Sequence, residues 1–175
     1  MSSDRRDVLI THALGSCIGL TLFDPDAGVG ALLHAQMPLS SASPERACHT
    51  PAMYVDSGVA YVLEHVLALG ATRGTLVACV AGGAQHFVEG DVFEIGRRNY
   101  TVVRKMLWKN GILIAGQDVG GQVTRTLVLD MASGRTTLRV AGTDRDLYPG
   151  SHTERRSRQW LLRSSWWMIP PSPDR

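Results

Sequence analysis

The segment Asp24-Pro25-Asp26-Ala27-Gly28 constrains this chain more than any other, because it stands between two apolar runs, Ile18 to Phe23 and Val29 to His34. Proline presets φ at the first corner of a turn, and glycine accepts the positive φ that closes it. Two short β-favouring runs joined in this way form a hairpin. With Asp24–Gly28 as the loop, Phe23 faces Val29 and Ile18 lies across from His34. Cys17 is then opposite Ala35, and a one-residue bulge, common near such loops, brings it opposite His34. Directly paired Cβ atoms lie about 4.5–5.5 Å apart, which a thiol and an imidazole can bridge.

The thiol has a setting suited to chemistry. Thr11-His12-Ala13-Leu14-Gly15-Ser16-Cys17 places it after a tight Gly-Ser turn at a strand entrance. Backbone N–H groups left free around Ser16 and Cys17 can serve as oxyanion donors when a thiol attacks a carbonyl. Such a thiol needs a base, and the hairpin offers His34. The imidazole in turn needs a third group to fix its tautomer. Thr11 can supply a hydroxyl for that purpose, whereas His12 competes as the base itself. Adjacent strand residues face opposite ways, so a regular strand turns only one of the two toward the thiol.

The other reactive side chains are poorer candidates. Cys48 and His49 are loop neighbours, Cys79 sits in an apolar run, and His65 and His86 have no partners at ligand spacing. No CxxC pair suggests zinc, and three cysteines cannot all pair within one chain. Free thiols are expected, as in a reducing compartment. Gly82-Gly83 and Gly120-Gly121 can shape a backbone rim.

The rest of the chain reads as a mixed domain of helices and strands. Val8 to Thr11 is a strand. Thr50-Pro51 looks like an N-cap followed by a first helical residue, opening a helix to Leu69 with Val55, Val59, Val62, Leu63 and Val66 on one face. Leu76 to Val80 is a buried strand. Asn99 to Lys109 is a second helix, Ile112 to Ala115 a strand, and Arg125–Leu129 with Thr136–Val140 a closing hairpin.

With 175 residues the chain has room for one sizeable core. Residues 1–143 hold 12 Lys+Arg and 12 Asp+Glu, so they carry no net charge, which argues against nucleic acid as a partner. No run approaches the roughly 18 apolar residues of a membrane span. The opening Met1-Ser2-Ser3-Asp4-Arg5-Arg6-Asp7 lacks the pattern of a signal peptide, so a cytoplasmic location is expected. Residues 144–175, with Trp160, Trp166 and Trp167, show no sustained periodicity and read as a poorly ordered extension of a 1–143 domain.

The run Thr11 to Cys17, with the hairpin to His34 and Met37-Pro38, resembles the CheD family of chemoreceptor glutamine deamidases. Tyr54-Val55-Asp56, Gly82-Gly83, Ile95-Gly96-Arg97-Arg98-Asn99, Asp118-Val119-Gly120-Gly121 and Arg125-Thr126 continue the likeness in order over about residues 8–140. The resemblance implies an α+β fold, a layered sandwich of packed mixed β-sheets flanked by helices, similar to the catalytic domain of the cytotoxic necrotizing factor toxins. It implies a triad of Cys17 as nucleophile, His34 as general base and acid, and Thr11 as the group that orients His34. It also implies a cytoplasmic hydrolase acting on glutamines of methyl-accepting chemoreceptor helices, without a metal or organic cofactor. A CheC-type phosphatase is an implied regulatory partner. The competing expectations are a non-catalytic module that binds such a phosphatase, and a general thiol amidohydrolase. Gln36 before Met37-Pro38, and Thr124 before Arg125, depart from the family's usual residues.

Overall fold

The computed structural model describes residues 1–85 and 94–150. Among the described residues eight strands form two sheets: β1 (Val8–Leu14), β2 (Ile18–Asp24), β3 (Val29–Ala35), β4 (Val77–Gly82), β5 (Ile114–Val119), β6 (Arg125–Asp130), β7 (Thr136–Val140) and β8 (Thr143–Tyr148). The first sheet has the order β3-β2-β4-β5 and the second β1-β6-β7-β8. The first is mixed, since β4 and β5 run parallel and its other pairs antiparallel. Helices α1 (Pro44–His49), α2 (Val55–Ala68) and α3 (Ile95–Lys109) complete the α+β architecture.

Strand β2 shows why the layers stack as they do, being buried at every residue. Ile18, Leu20 and Leu22 pack with Val59, Leu63 and Val66 of α2 and Val103 and Leu107 of α3. The alternate residues turn to the second sheet: Phe23 meets Leu129 and Met131, and a Cβ at Gly19 would come within 2.6 Å of Leu14. The first sheet therefore lies between a helical layer and a second sheet. Its strand residues alternate between two apolar environments with the period of two that β geometry dictates.

The hairpin forms as expected but in a different register. Asp24 pairs with Val29 and Ile18 with Ala35, with no bulge between them, so His34 lies opposite Gly19. The cause is the Asp24 side chain, which stays in the ladder and accepts the N–H groups of Asp26 and Ala27 at 2.9 and 3.1 Å. Gly28 N–H closes the loop on the Asp24 carbonyl at 2.8 Å. The bulge lies instead in β1, between Thr11 and Leu14, where Ala13 has a φ of 57°.

Other boundaries differ for local reasons. Pro51–Met53 is a separate 3₁₀ turn, so Thr50 does not cap the long helix, which starts at Val55; α1 precedes it. α3 begins at Ile95 rather than Asn99. It ends in a Schellman motif, with the N–H groups of Gly111 and Ile112 bonded to Trp108 and Leu107 carbonyls. Ile112 thus closes the helix and β5 starts at Ile114. β8 pairs with β7, carrying the second sheet past the boundary expected at 143. The remainder of the expected extension, residues 151–175, and His86 lie outside the described residues. Among the described residues no helix is long and apolar enough to cross a membrane.

Candidate active site

β1 belongs to the second sheet and β2 to the first, so Gly15-Ser16-Cys17 is the crossing between them. The crossing is fixed by backbone contacts to the end of β4. Gly83 N–H donates to the Cys17 carbonyl and Ala84 N–H to the Gly15 carbonyl, both at 2.8 Å. Gly82 has a φ of 106°, and a Cβ there would overlap the Cys17 carbonyl oxygen, so the close approach requires glycine. The double glycine thus serves as a rim for the thiol-bearing turn.

His34 lies on the β3 face that meets the second sheet. Its Nδ1 and the Thr11 hydroxyl are 2.7 Å apart, a hydrogen bond from one sheet to the other. The β1 bulge lets both Thr11 and Leu14 face inward although two residues separate them. His12 turns outward, and its Nδ1 is 3.3 Å from the Thr126 hydroxyl. The pairing of β1 with β6 thus turns Thr11 inward and His12 outward.

Cys17 is half-buried beside Leu14, Ala81, Leu127 and Leu138, the cluster between the sheets. His34 pairs with Gly19, so a thiol two residues before Gly19 is its diagonal neighbour on the same face. Diagonal Cα atoms lie about 7–8 Å apart, within reach of long or aromatic side chains. Gly19 itself puts no side chain on that face, and Leu14 packs against it. Among the described residues the thiol and the imidazole share no hydrogen bond, a common state of catalytic pairs before substrate binds.

The electrostatics favour a neutral pair. Burial pushes the Cys17 thiol up and the His34 imidazole down. Near neutral pH that combination leaves a thiol and an uncharged imidazole, which is the form that accepts a proton. Among the described residues no acceptor in another residue takes the N–H of Ser16 or Cys17, leaving both available to a ligand oxygen. No three His, Cys, Asp or Glu side chains among the described residues are grouped to hold a metal ion. Cys79 is buried and its thiol is pushed up to about 11, chiefly by burial; Cys48 is exposed on α1.

Asn99 is a site residue to which the sequence reading assigned no chemistry. It is fully buried on α3, and its amide donates at 2.9 Å to the carbonyls of both Ser16 and Gln36. Among the described residues its Oδ1 has no partner. An unpaired buried acceptor costs about 1–3 kcal/mol. The signal available in the sequence was position: Asn99 stands on the same helical stripe as the buried Val103 and Leu107, where an apolar residue is the rule.

Fold and site together define a layered α+β protein in which an imidazole and a hydroxyl bond across the seam between two sheets, with a thiol on the crossing that joins them. Residues 36–140 match the family model described as CheD chemotactic sensory transduction, a match that begins just after His34. The chain is 46% identical over 142 residues to the probable chemoreceptor glutamine deamidase CheD of Solibacter usitatus, covering 81% of this chain and 84% of that one. It is 40% identical over 134 residues to the protein of that name from Pyrococcus abyssi, covering 75% and 81% of the two chains. The protein belongs to the CheD family.

Proposed function

We propose that this protein is a chemoreceptor glutamine deamidase with Cys17 as nucleophile, His34 as base and acid, and Thr11 as the orienting group. The observation that carries this reading is the 2.7 Å bond between Thr11 Oγ1 and His34 Nδ1. When Nδ1–H donates to the hydroxyl, Nε2 keeps its lone pair and can take the thiol proton. Burial keeps His34 neutral, as a base must be.

The chemistry follows in two halves. As Cys17 Sγ bonds to the side-chain carbonyl carbon of a receptor glutamine, its proton passes to His34 Nε2. The carbonyl oxygen becomes an oxyanion facing the backbone N–H groups of Ser16 and Cys17, which no acceptor in another described residue takes. Collapse breaks the C–N bond, the proton on His34 leaves with ammonia, and a thioester remains. Water then gives a proton to His34 and attacks the thioester carbon, releasing glutamate and restoring the thiol. No step needs a cofactor. The change turns a neutral amide into a carboxylate on a receptor helix, which alters charge and creates a group that can be methylated.

The site is placed in the cytoplasm, where its thiol stays reduced and receptor cytoplasmic helices are accessible. A CheC-type phosphatase is proposed as a regulatory partner on family resemblance. Co-purification with such a phosphatase, with a change in deamidation rate, tests that part separately.

The primary test is ammonia release and the mass change of deamidation on a purified receptor cytoplasmic fragment. Wild type is active and Cys17→Ala is inactive under this proposal. A wild-type protein that releases no ammonia yet binds the phosphatase would leave only the regulatory module. Equal turnover of receptor and free glutamine would favour a general amidohydrolase.

A further inference from the structure

The β2–β3 ladder stops one residue short of the thiol. Its last pair is Ile18 with Ala35, and beyond it the N–H groups of Gln36 and Met37 both turn to the Met53 carbonyl. At this level β3 gives no backbone hydrogen bond to hold Cys17. The gap is spanned by the buried Asn99 amide, whose two N–H groups reach the carbonyls of Ser16, just before the nucleophile, and Gln36, two residues after the base. The helix can come this close because a Cβ at Gly96 would lie within 2.5 Å of both the Gly83 and Ala84 carbonyl oxygens.

The direction of the bond matters as much as its existence. The Ser16 carbonyl and the Cys17 N–H belong to one planar trans peptide unit, so they point to opposite sides. Drawing the carbonyl onto α3 aims the Cys17 N–H away from the helix. That N–H lies beside the Cys17 thiol, where it offsets part of the effect of burial on the sulfur. The amide achieves this while its own Oδ1 has no partner among the described residues, an arrangement that packing alone does not favour.

We propose that Asn99 is a positioning residue: it orients the Cys17 N–H as an oxyanion donor and ties the thiol-bearing turn to the strand that carries His34. This rests on the deamidase reading above. Asn99 touches neither substrate nor the reacting atoms, and acts only through the Ser16–Cys17 peptide and the Gln36 carbonyl.

The test compares Asn99→Leu and Asn99→Asp with wild type on the receptor fragment. Losing one aligned oxyanion donor lowers kcat by about 10²-fold. For Asn99→Leu the expected result is a kcat loss on that order with KM within about twofold, alongside a far smaller, at most severalfold, change in the rate of Cys17 alkylation by iodoacetamide. Alkylation builds no oxyanion, so it senses the donor only through the proton affinity of the thiol. Asn99→Asp keeps the shape and, while protonated, one donor; its deficit should be smaller at low pH and widen as the carboxyl ionises. This second variant decides the matter if Asn99→Leu fails to fold. The proposal is overturned if kcat is unchanged, if alkylation falls in step with kcat, or if the Asn99→Asp deficit is independent of pH. Wild-type inactivity on receptor would instead overturn the deamidase reading, so the two failures are distinguishable.

Discussion

Replacing Thr11 with valine removes one hydroxyl and nothing else of comparable size. In the folded protein that hydroxyl contacts His34 Nδ1 at 2.7 Å across the seam between the sheets. In the proposed mechanism Nδ1–H donates to this hydroxyl, which keeps Nε2 free as a base. A hydrogen bond of this kind is worth about 1–1.5 kcal/mol net, and about 1.4 kcal/mol corresponds to a tenfold change in a rate or population. Thr11→Val should therefore lower kcat/KM for receptor deamidation by roughly 5–10-fold through the tautomer alone, with further loss from a ring free to turn. The same loss lowers stability by about 1 kcal/mol, or roughly 2–4 °C in Tm for a chain of this size.

The assay is steady-state ammonia release, with the His34 tautomer read from ring-nitrogen chemical shifts. Thr11→Ser keeps a hydroxyl at the same place and should recover most of the activity. If Thr11→Val stays within twofold of wild type and the tautomer does not change, Thr11 does not orient the base. A drop shared equally by valine and serine variants would point to packing rather than the hydroxyl.

Three other outcomes follow from named contacts. Because burial raises the Cys17 thiol and lowers His34, iodoacetamide alkylation of the free enzyme should climb only above the ordinary thiol range, while deamidation turns on as pH rises through an imidazole value below the usual one; an alkylation plateau in mildly acidic buffer would show a preformed ion pair instead. Gly82→Ala forces a methyl onto the Cys17 carbonyl at positive φ and should cost about 3 kcal/mol, seen as a thermal shift of several degrees; an unchanged melt would mean the turn relaxes freely. For Asp24, burial raises the carboxyl, but hydrogen bonds from Thr75, Thr72, Ala27 and Asp26 outweigh it and leave the pKa lowered. A lowered carboxyl stabilises the fold above its unfolded pKa and loses that effect as pH falls through the folded one. The stability gap to Asp24→Asn, measured by urea unfolding, should therefore narrow in acid, and a constant gap would contradict this.

Much of the fold was legible because short apolar runs and turn residues report local geometry. β2, β3, β6 and β7 stand near their expected places, and α2 buries the expected valine and leucine stripe. Register was less legible because it depends on distant partners. Asp24 accepts from the N–H of Thr72 as well as from its own turn, and a residue held from both sides remains in the ladder rather than joining the loop. β8 was hidden by its charge, since Thr143–Tyr148 lacks an apolar run. Its Asp144 pairs with Arg139 on β7 and its Asp146 with Arg135, the residue just before β7, so ion pairs stand where apolar alternation was sought, as suits the edge of a sheet.

The sequence proposes Cys17, His34 and Thr11 for the candidate site but not Asn99, nor the way the site is built. Counting across the hairpin put Cys17 opposite Ala35, and opposite His34 only with a bulge, whereas the ladder has no bulge and pairs His34 with Gly19. The relation to Thr11 depends on β1 pairing with β6, more than a hundred residues later, and on a bulge at His12-Ala13 that neither residue announces. What the local sequence does contain is the crossing. A chain that leaves one sheet at Leu14 and enters the other at Ile18 must abandon both ladders in between, and its amides there lose their strand partners. The fold itself therefore leaves the N–H groups of Ser16 and Cys17 without an acceptor in another described residue, beside the only thiol on that crossing. Gly83, Ala84 and Asn99 hold the carbonyls of the same turn from the other side, so the direction of those donors is set by the end of β4 and by α3 rather than by the turn. The donors come from the change of sheet, and their aim from the two elements packed behind it.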